Sequence, residues 1–285
     1  WDFLYHVIVK GVTRPGGGLY ATGALLLGLL ALGASTMHLG RPLFAYRAVL
    51  GLRTSWLSRE ILAFGAYAFL AMLFAASFIA PAALPFFSGY LDALQKARPL
   101  LSFAVVGTGV LGVFCSVMVY GVTQRPLWTT PTVGFKFFMT MFILGLSSIW
   151  VANMLQAIWN PDIYLRTYVS GIGRSMCLLV VAMVSLKLLY ELTAFAHLHD
   201  KLHSPARRAA VLASRELRAV SATRFGLGLA GGILLPTLVL TRDLNASVGL
   251  LVGLTLASFV CLVAGELMER YLFFVTSIAP RMPGG

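Results

Sequence analysis

The chain is 285 residues long, 59% hydrophobic and only 11% charged, with a mean hydropathy of +0.85 and a formal charge of +12. A water-soluble domain of this composition would need an implausibly large core, and a membrane β-barrel would alternate polar and apolar residues instead of running continuously apolar. Several runs exceed the roughly 20 apolar residues that cross a bilayer, so the expected fold is an all-α, polytopic transmembrane helical bundle, a single integral membrane domain over residues 1–285.

In chain order, Trp1 to Val9 is apolar but too short to cross, and Lys10, Arg14 and a run of glycines interrupt it. Spans are predicted at about 19–37, 61–80, 99–122, 133–157, 175–198, 224–240 and 244–268, seven in all. The fifth carries Lys187 and Glu191 four residues apart in an otherwise apolar helix, and Pro236 interrupts the sixth. Between them, Asp200 to Thr223 holds Lys201, Arg207, Arg208, Arg215 and Arg218 and reads as a basic amphipathic loop or surface helix. No basic segment followed by a small-residue cleavage site precedes the first span, so targeting is expected to rest on the spans themselves or on residues outside this numbering.

Cys115, Cys177 and Cys261 lie in three different spans with no CxxC or CxxCH spacing. The chain is therefore expected to hold no iron–sulfur cluster, zinc or c-type haem of its own, and the cysteines read as small buried hydrophobes. The tryptophans and tyrosines, Trp56, Trp128, Trp150 and Trp159 among them, are expected to form interfacial belts. His197, His199 and His203 read as part of a solvated basic face.

If seven spans alternate, fourteen lysines and arginines fall on one side and seven on the other, with Lys187 inside a span. The richer side is predicted to be cytoplasmic, and a basic membrane face accounts for the net charge through anionic lipid or an acidic partner, without nucleic acid. His38, Glu60, Glu191, His197 and Glu266 fall on that same side. Ionisable groups at membrane depth cost roughly 2.5 to 3.5 kcal/mol on insertion scales and usually pair or line a polar cavity, so one polar pocket opening to that face is expected.

Two stretches concentrate the charge: His38-Leu39-Gly40-Arg41-Pro42 at the end of the first span, and Ser55-Trp56-Leu57-Ser58-Arg59-Glu60 opening the second. Together they resemble the membrane anchor subunit of the dimethyl sulfoxide reductase family, which serves complex iron–sulfur molybdoenzymes. Thr123 to Trp128 before Lys136-Phe137-Phe138, and Ala264-Gly265-Glu266 with Arg270 to Phe274, support the likeness, which runs over most of the chain. Members typically have eight spans, against the seven counted here.

The resemblance implies a haem-free anchor in a bacterial or archaeal inner membrane. It would exchange electrons between membrane quinol or quinone, menaquinone or ubiquinone, and an iron–sulfur subunit that holds [4Fe-4S] clusters, itself docked to a molybdopterin catalytic subunit. It also implies that His38 and Glu60 act in quinol oxidation, with Arg41 and Arg59 of the same motif as weaker candidates for the quinone pocket; Glu191 joins them as a candidate because it falls on the same side. The chemistry of the residues agrees. Quinol oxidation needs an apolar slot for the ring, a hydrogen-bond partner for each oxygen and a titratable group, and histidine titrates near neutral pH. A carboxylate passes the proton outward, and an arginine beside it steadies negative charge.

Four other readings compete. Glu60 with Ser58 fits a helix-capping first turn, and Lys187 with Glu191 fits a structural ion pair. A b-haem anchor would use His38 and His197 as facing ligands and would show in a pyridine haemochrome spectrum. An unrelated transporter would carry internal repeats or paired broken helices, and none is evident.

Overall fold

The computed structural model describes residues 17–37, 46–47, 50–80, 83–123, 125, 127–158, 171–201, 204–241 and 247–277. Among them there is helix and no strand. The helices are α1 (Gly17–Met37), α2 (Trp56–Ala76), α3 (Ser88–Gly121), α4 (Thr130–Gln156), α5 (Ile172–Leu192), α6 (Pro205–Ser214), α7 (Arg218–Leu229), α8 (Leu235–Leu240) and α9 (Val248–Val275). Six stretches are long and apolar enough to cross a bilayer: Trp56–Ala76, Pro85–Gly121, Thr130–Gln156, Gly173–His199, Arg218–Leu240 and Val248–Val275. α1 adds a shorter apolar stretch, Tyr20–Ala34, within its 21 residues. The fold is thus the expected helical membrane bundle, with the span count lower by that first helix.

The boundaries depart from the sequence reading where a proline or a charge reads as a stop. α3 begins at Ser88, because Pro99 lies inside the helix and does not start it. α2 begins at Trp56, with Ser55 as N-cap accepting from the Ser58 amide at 3.3 Å, so the capping role falls on Ser55 and not on Ser58 with Glu60. α9 runs on past Met268 to Val275, because Glu269 and Arg270 find ion partners within the bundle.

Packing divides the chain into two compact units, residues 1–119 and 120–285. In the first, α2 and α3 are antiparallel: Trp56 meets Phe114 edge-on at 6.0 Å, Glu60 meets Ser116, and Phe64 packs over Gly112. Their far end is tied by Arg98, whose guanidinium donates to the Ser77 carbonyl and lies 4.2 Å from the centroid of the Phe78 ring.

The second unit packs in layers. α4 and α7 run one way, α5 and α9 the other, so the start of α4 and of α7 share an end with the close of α5 and of α9. Aromatic residues Tyr120, Trp128, Phe137, Phe273 and Phe274 fill that end. Below them lies a layer of charged side chains. An apolar layer follows (Met139, Ile143, Val180, Val184, Leu188 and Leu262), then another around Trp150, Met154, Cys177, Val239, Leu251 and Val252. Trp128 and Trp150 therefore belong to the core, at 6% and 1% exposure, and not to interfacial belts. Trp128 stacks on Phe273 at 5.0 Å with the rings 5° from parallel, and its indole N–H reaches the Phe273 carbonyl, so its polar atom needs no headgroup. Trp159 lies outside the described residues.

Between α7 and α8 the chain makes one π turn, Ala230–Leu234. Pro236, with no N–H, cannot bond four residues back, and the wider turn absorbs the mismatch. Here the backbone of Gly231 touches α9: an added Cβ would stand 2.6 Å from the Cys261 Cβ and 2.8 Å from the Ser258 carbonyl, to which the turn is already joined by the Ser258 hydroxyl donating to the Gly231 carbonyl at 2.5 Å. Close small-residue contacts of this kind hold membrane helices together. Gly231→Val should therefore destabilise the protein by about 1 to 3 kcal/mol, read as a lower midpoint of thermal unfolding in detergent. An unchanged midpoint would show that the two helices separate without penalty.

Candidate functional site

Charge is gathered in two places. In the first unit, Glu60 lies one turn inside α2, and its carboxylate accepts a hydrogen bond from the Ser116 hydroxyl on α3. Gly112, one turn away from Ser116, leaves room for the Phe64 ring, whose Cε1 an added Cβ would meet at 2.6 Å. The carboxylate thus sits between α2 and α3, beside Cys115. Arg59 points elsewhere: its Nε donates to the Leu52 carbonyl and its Nη2 to the Arg53 carbonyl, both at 2.9 Å, while the guanidinium lies 4.2 Å from the centroid of the Trp56 ring. It fastens the loop to the start of α2. His38 and Arg41 lie outside the described residues.

In the second unit, seven ionisable side chains from four helices form one network. α5 contributes Lys187 and Glu191, one turn apart on a single face. Lys187 occupies the same stripe as Met176, Cys177, Val180 and Val184, which are core residues, and is wholly buried. Its ammonium is held by the Glu266 carboxylate and donates to the Thr140 hydroxyl at 2.8 Å, while Glu191 lies 3.9 Å away. Thr140 donates in turn to Glu266 at 2.6 Å. Arg224 of α7, 1% exposed, grips Glu191 with two hydrogen bonds of 2.9 and 3.1 Å and reaches Glu266 at 3.2 Å. Paired donors of this fork geometry are what guanidinium offers a carboxylate. Gly228 and Gly265 make space for it, since a Cβ on either would lie 3.1 or 3.2 Å from Arg224 Nη1.

The network continues along α9. Glu269, also buried, meets Lys136 of α4 at 3.1 Å and Arg270 at 3.7 Å. Arg270 donates to Thr140 at 3.2 Å and lies 3.7 Å from the centroid of the Phe137 ring. Four bases, Lys136, Lys187, Arg224 and Arg270, thus face three carboxylates, Glu191, Glu266 and Glu269. Among the described residues no group of three or more metal-ligating side chains is close enough to hold an ion.

A cavity of about 390 Å³ opens above this network at the same end of the unit. Glu191, Arg224, Lys136 and Glu269 form its charged floor, Trp128, Phe195, Phe225 and Phe273 stand around it, and four alanines of α6 close one side. His197 lines it too, half-exposed and paired with Asp200 at 2.9 Å.

Of the residues singled out from sequence, Glu191 and Glu266 come together through Arg224 and Lys187. Glu60 belongs to the other unit, with its own partner. Sequence reading misses the depth of Arg224, Lys136, Glu269 and Arg270, which it counts as loop or tail charges. The available signal is spacing: Glu266, Glu269 and Arg270 fall three and four residues apart on one helical face, as do Ser221, Arg224 and Gly228.

Fold and site together define a polytopic helical membrane protein with a buried, charge-lined pocket at one end of its second unit. A family model, the DMSO reductase anchor subunit (DmsC), matches residues 19–275, and the chain belongs to that family. It is also similar to one of the subunits of the sulfite dehydrogenase of Allochromatium vinosum, 31% identical over 163 residues that make up 55% of this chain and 49% of that protein. The chain spans about half the length of this curated relative in the match. No solved structure matches.

Proposed function

We propose that this chain is the quinone-reactive anchor of a molybdopterin and iron–sulfur oxidoreductase complex in a bacterial or archaeal inner membrane. It exchanges electrons between membrane quinol or quinone and an iron–sulfur subunit that holds [4Fe-4S] clusters. Membership of the anchor family supports the role, and the similarity to a subunit of a sulfite dehydrogenase is compatible with electron flow in either direction. The observation that carries the site is Glu60: a carboxylate held by Ser116 between α2 and α3, in the helix that follows His38 in the sequence.

Quinol supplies two electrons and two protons when oxidised. His38 takes the proton of each ring hydroxyl in turn, and Glu60 relays both outward. Arg59 acts as a positioning residue through its hold on the loop. The electrons leave the chain for the iron–sulfur subunit, which binds the Arg-rich face, and that face is cytoplasmic.

The role is tested by isolating the chain from its native membrane in mild detergent. Iron, acid-labile sulfide and molybdenum are expected to elute with it, in two further polypeptides. Elution of the chain alone, with transport activity of its own after reconstitution, would contradict the proposal and favour a transporter.

A further inference from the structure

The charged network of the second unit does more than the fold requires. Replacing a buried ion pair by apolar side chains of similar volume is often neutral or stabilising, so seven ionisable groups on four helices are not explained by stability. Their placement is one-sided. Towards the bundle interior the network is sealed by Met139, Ile143, Val184 and Leu262, and towards the other end it meets the cavity. The network meets that cavity through Glu191, Arg224, Lys136 and Glu269, while Arg270, which does not line it, is 24% exposed.

The walls of the cavity select the ligand. The four charges of its floor are paired in place, Lys136 with Glu269 at 3.1 Å and Arg224 with Glu191 at 2.9 Å, so none of them is left without a counter-charge for a free ion to supply. What remains for a ligand is acceptor capacity on carboxylates and the hydroxyls of Thr132, Tyr190 and Ser221, which favours a neutral molecule with hydroxyl donors. The upright sides are aromatic, with Trp128 against Phe273 and Phe195 6.0 Å from Phe225. Opposite them α6 presents Ala206, Ala209, Ala210 and Ala213, a smooth wall suited to a flat ring. About 390 Å³ falls within the range of roughly 300 to 1,000 Å³ typical of small-molecule sites.

We infer that this cavity binds the ring of a hydroquinone-class ligand, with Glu191 accepting a hydrogen bond from a ring hydroxyl and Arg224, Glu266 and Lys187 sharing the charge when its proton is taken. The inference rests on the quinone-reactive reading above but uses none of the residues that reading takes from the His38 to Glu60 segment. Glu191 holds its place through Arg224, and the hydrogen-bonded path Glu191, Arg224, Glu266, Lys187 and Thr140 is continuous.

The test is photolabelling of the assembled complex with a prenylated hydroquinone bearing a diazirine beside the ring, followed by mapping of the labelled peptides. The expected result is label in peptides containing Trp128, Phe195 or Phe225, suppressed by excess unlabelled quinol. Ala209→Phe, which fills the cavity from α6 without touching the charged floor, should reduce that label at least about tenfold, equivalent to 1.4 kcal/mol, while the complex elutes as the unaltered one does. Label confined to residues 38–60 would overturn this inference and leave the functional reading standing. Label in the cavity that survives both the competitor and Ala209→Phe would also overturn it. Absence of label anywhere, in a complex that does not turn over with quinol, would remove both.

Discussion

Glu266→Leu is expected to cost the protein about 3 to 5 kcal/mol, the range seen when one partner of a buried ion pair is removed. Glu266 is the hub of the network: it holds Lys187, accepts from Thr140 and meets Arg224 at 3.2 Å. Without it the fully buried Lys187 keeps only Thr140 and a Glu191 oxygen 3.9 Å away that Arg224 already occupies. Against a total stability of roughly 5 to 15 kcal/mol, such a loss should appear as a large fall in folded protein recovered from membranes and in its unfolding temperature. The converse separates charge from packing. Lys187→Met combined with Glu266→Leu removes one positive and one negative charge and leaves the Arg224–Glu191 pair intact, so it should recover most of the loss. A double variant no more stable than Glu266→Leu alone would show that Glu266 acts through shape and not through charge.

His38→Ala should lower quinol-linked turnover of the assembled complex by at least about a hundredfold, the lower end of what a positioned acid or base contributes. Activity with an artificial dye donor should persist, because the dye delivers electrons to the partner subunits without this chain. Glu60→Gln isolates the proton. The amide oxygen still accepts from Ser116, so the helix contact that the carboxylate makes is kept while the titrating group is lost. A slower quinol reaction with an altered pH profile is expected, and assembly should be unaffected. Full quinol-linked activity in both variants would place proton uptake at Glu191 and the second-unit cavity instead.

Much of this is legible in the sequence because the bilayer imposes simple rules. Apolar runs of about 20 residues must be helices, and the charges that interrupt them are costly enough to be meaningful. Lys187 and Glu191 stand out for that reason, and the structure finds them on the buried face of α5. What escapes is charge near a span end. Arg224, Glu269 and Arg270 look like ordinary flanking residues in sequence, because snorkelling to the headgroups is the usual fate of such side chains. Only the layering of α4, α5, α7 and α9 draws them inward: Arg224 and Glu269 meet counter-charges on other helices, and Arg270, paired with Glu269 on its own helix, reaches Thr140 and the Phe137 ring of α4. The same limit applies to Trp128 and Trp150, which composition assigns to interfaces and packing assigns to the core. Helix ends differ from the sequence reading at Pro99 and Glu269, because a proline or a charge reads as a stop even where tertiary partners allow the helix to continue.

The central claim, that this chain is the point of contact between membrane quinone and the iron–sulfur subunit, is tested most directly by rapid mixing. The assembled complex is mixed with a short-chain quinol or quinone while the absorbance of the iron–sulfur clusters is followed. The clusters should change redox state as fast as the complex turns over, in whichever direction the potentials favour, and should fail to respond when the partner subunits are mixed without the anchor. Equal rates with and without this chain, or no response with it while a dye still exchanges electrons with the clusters, would contradict the account.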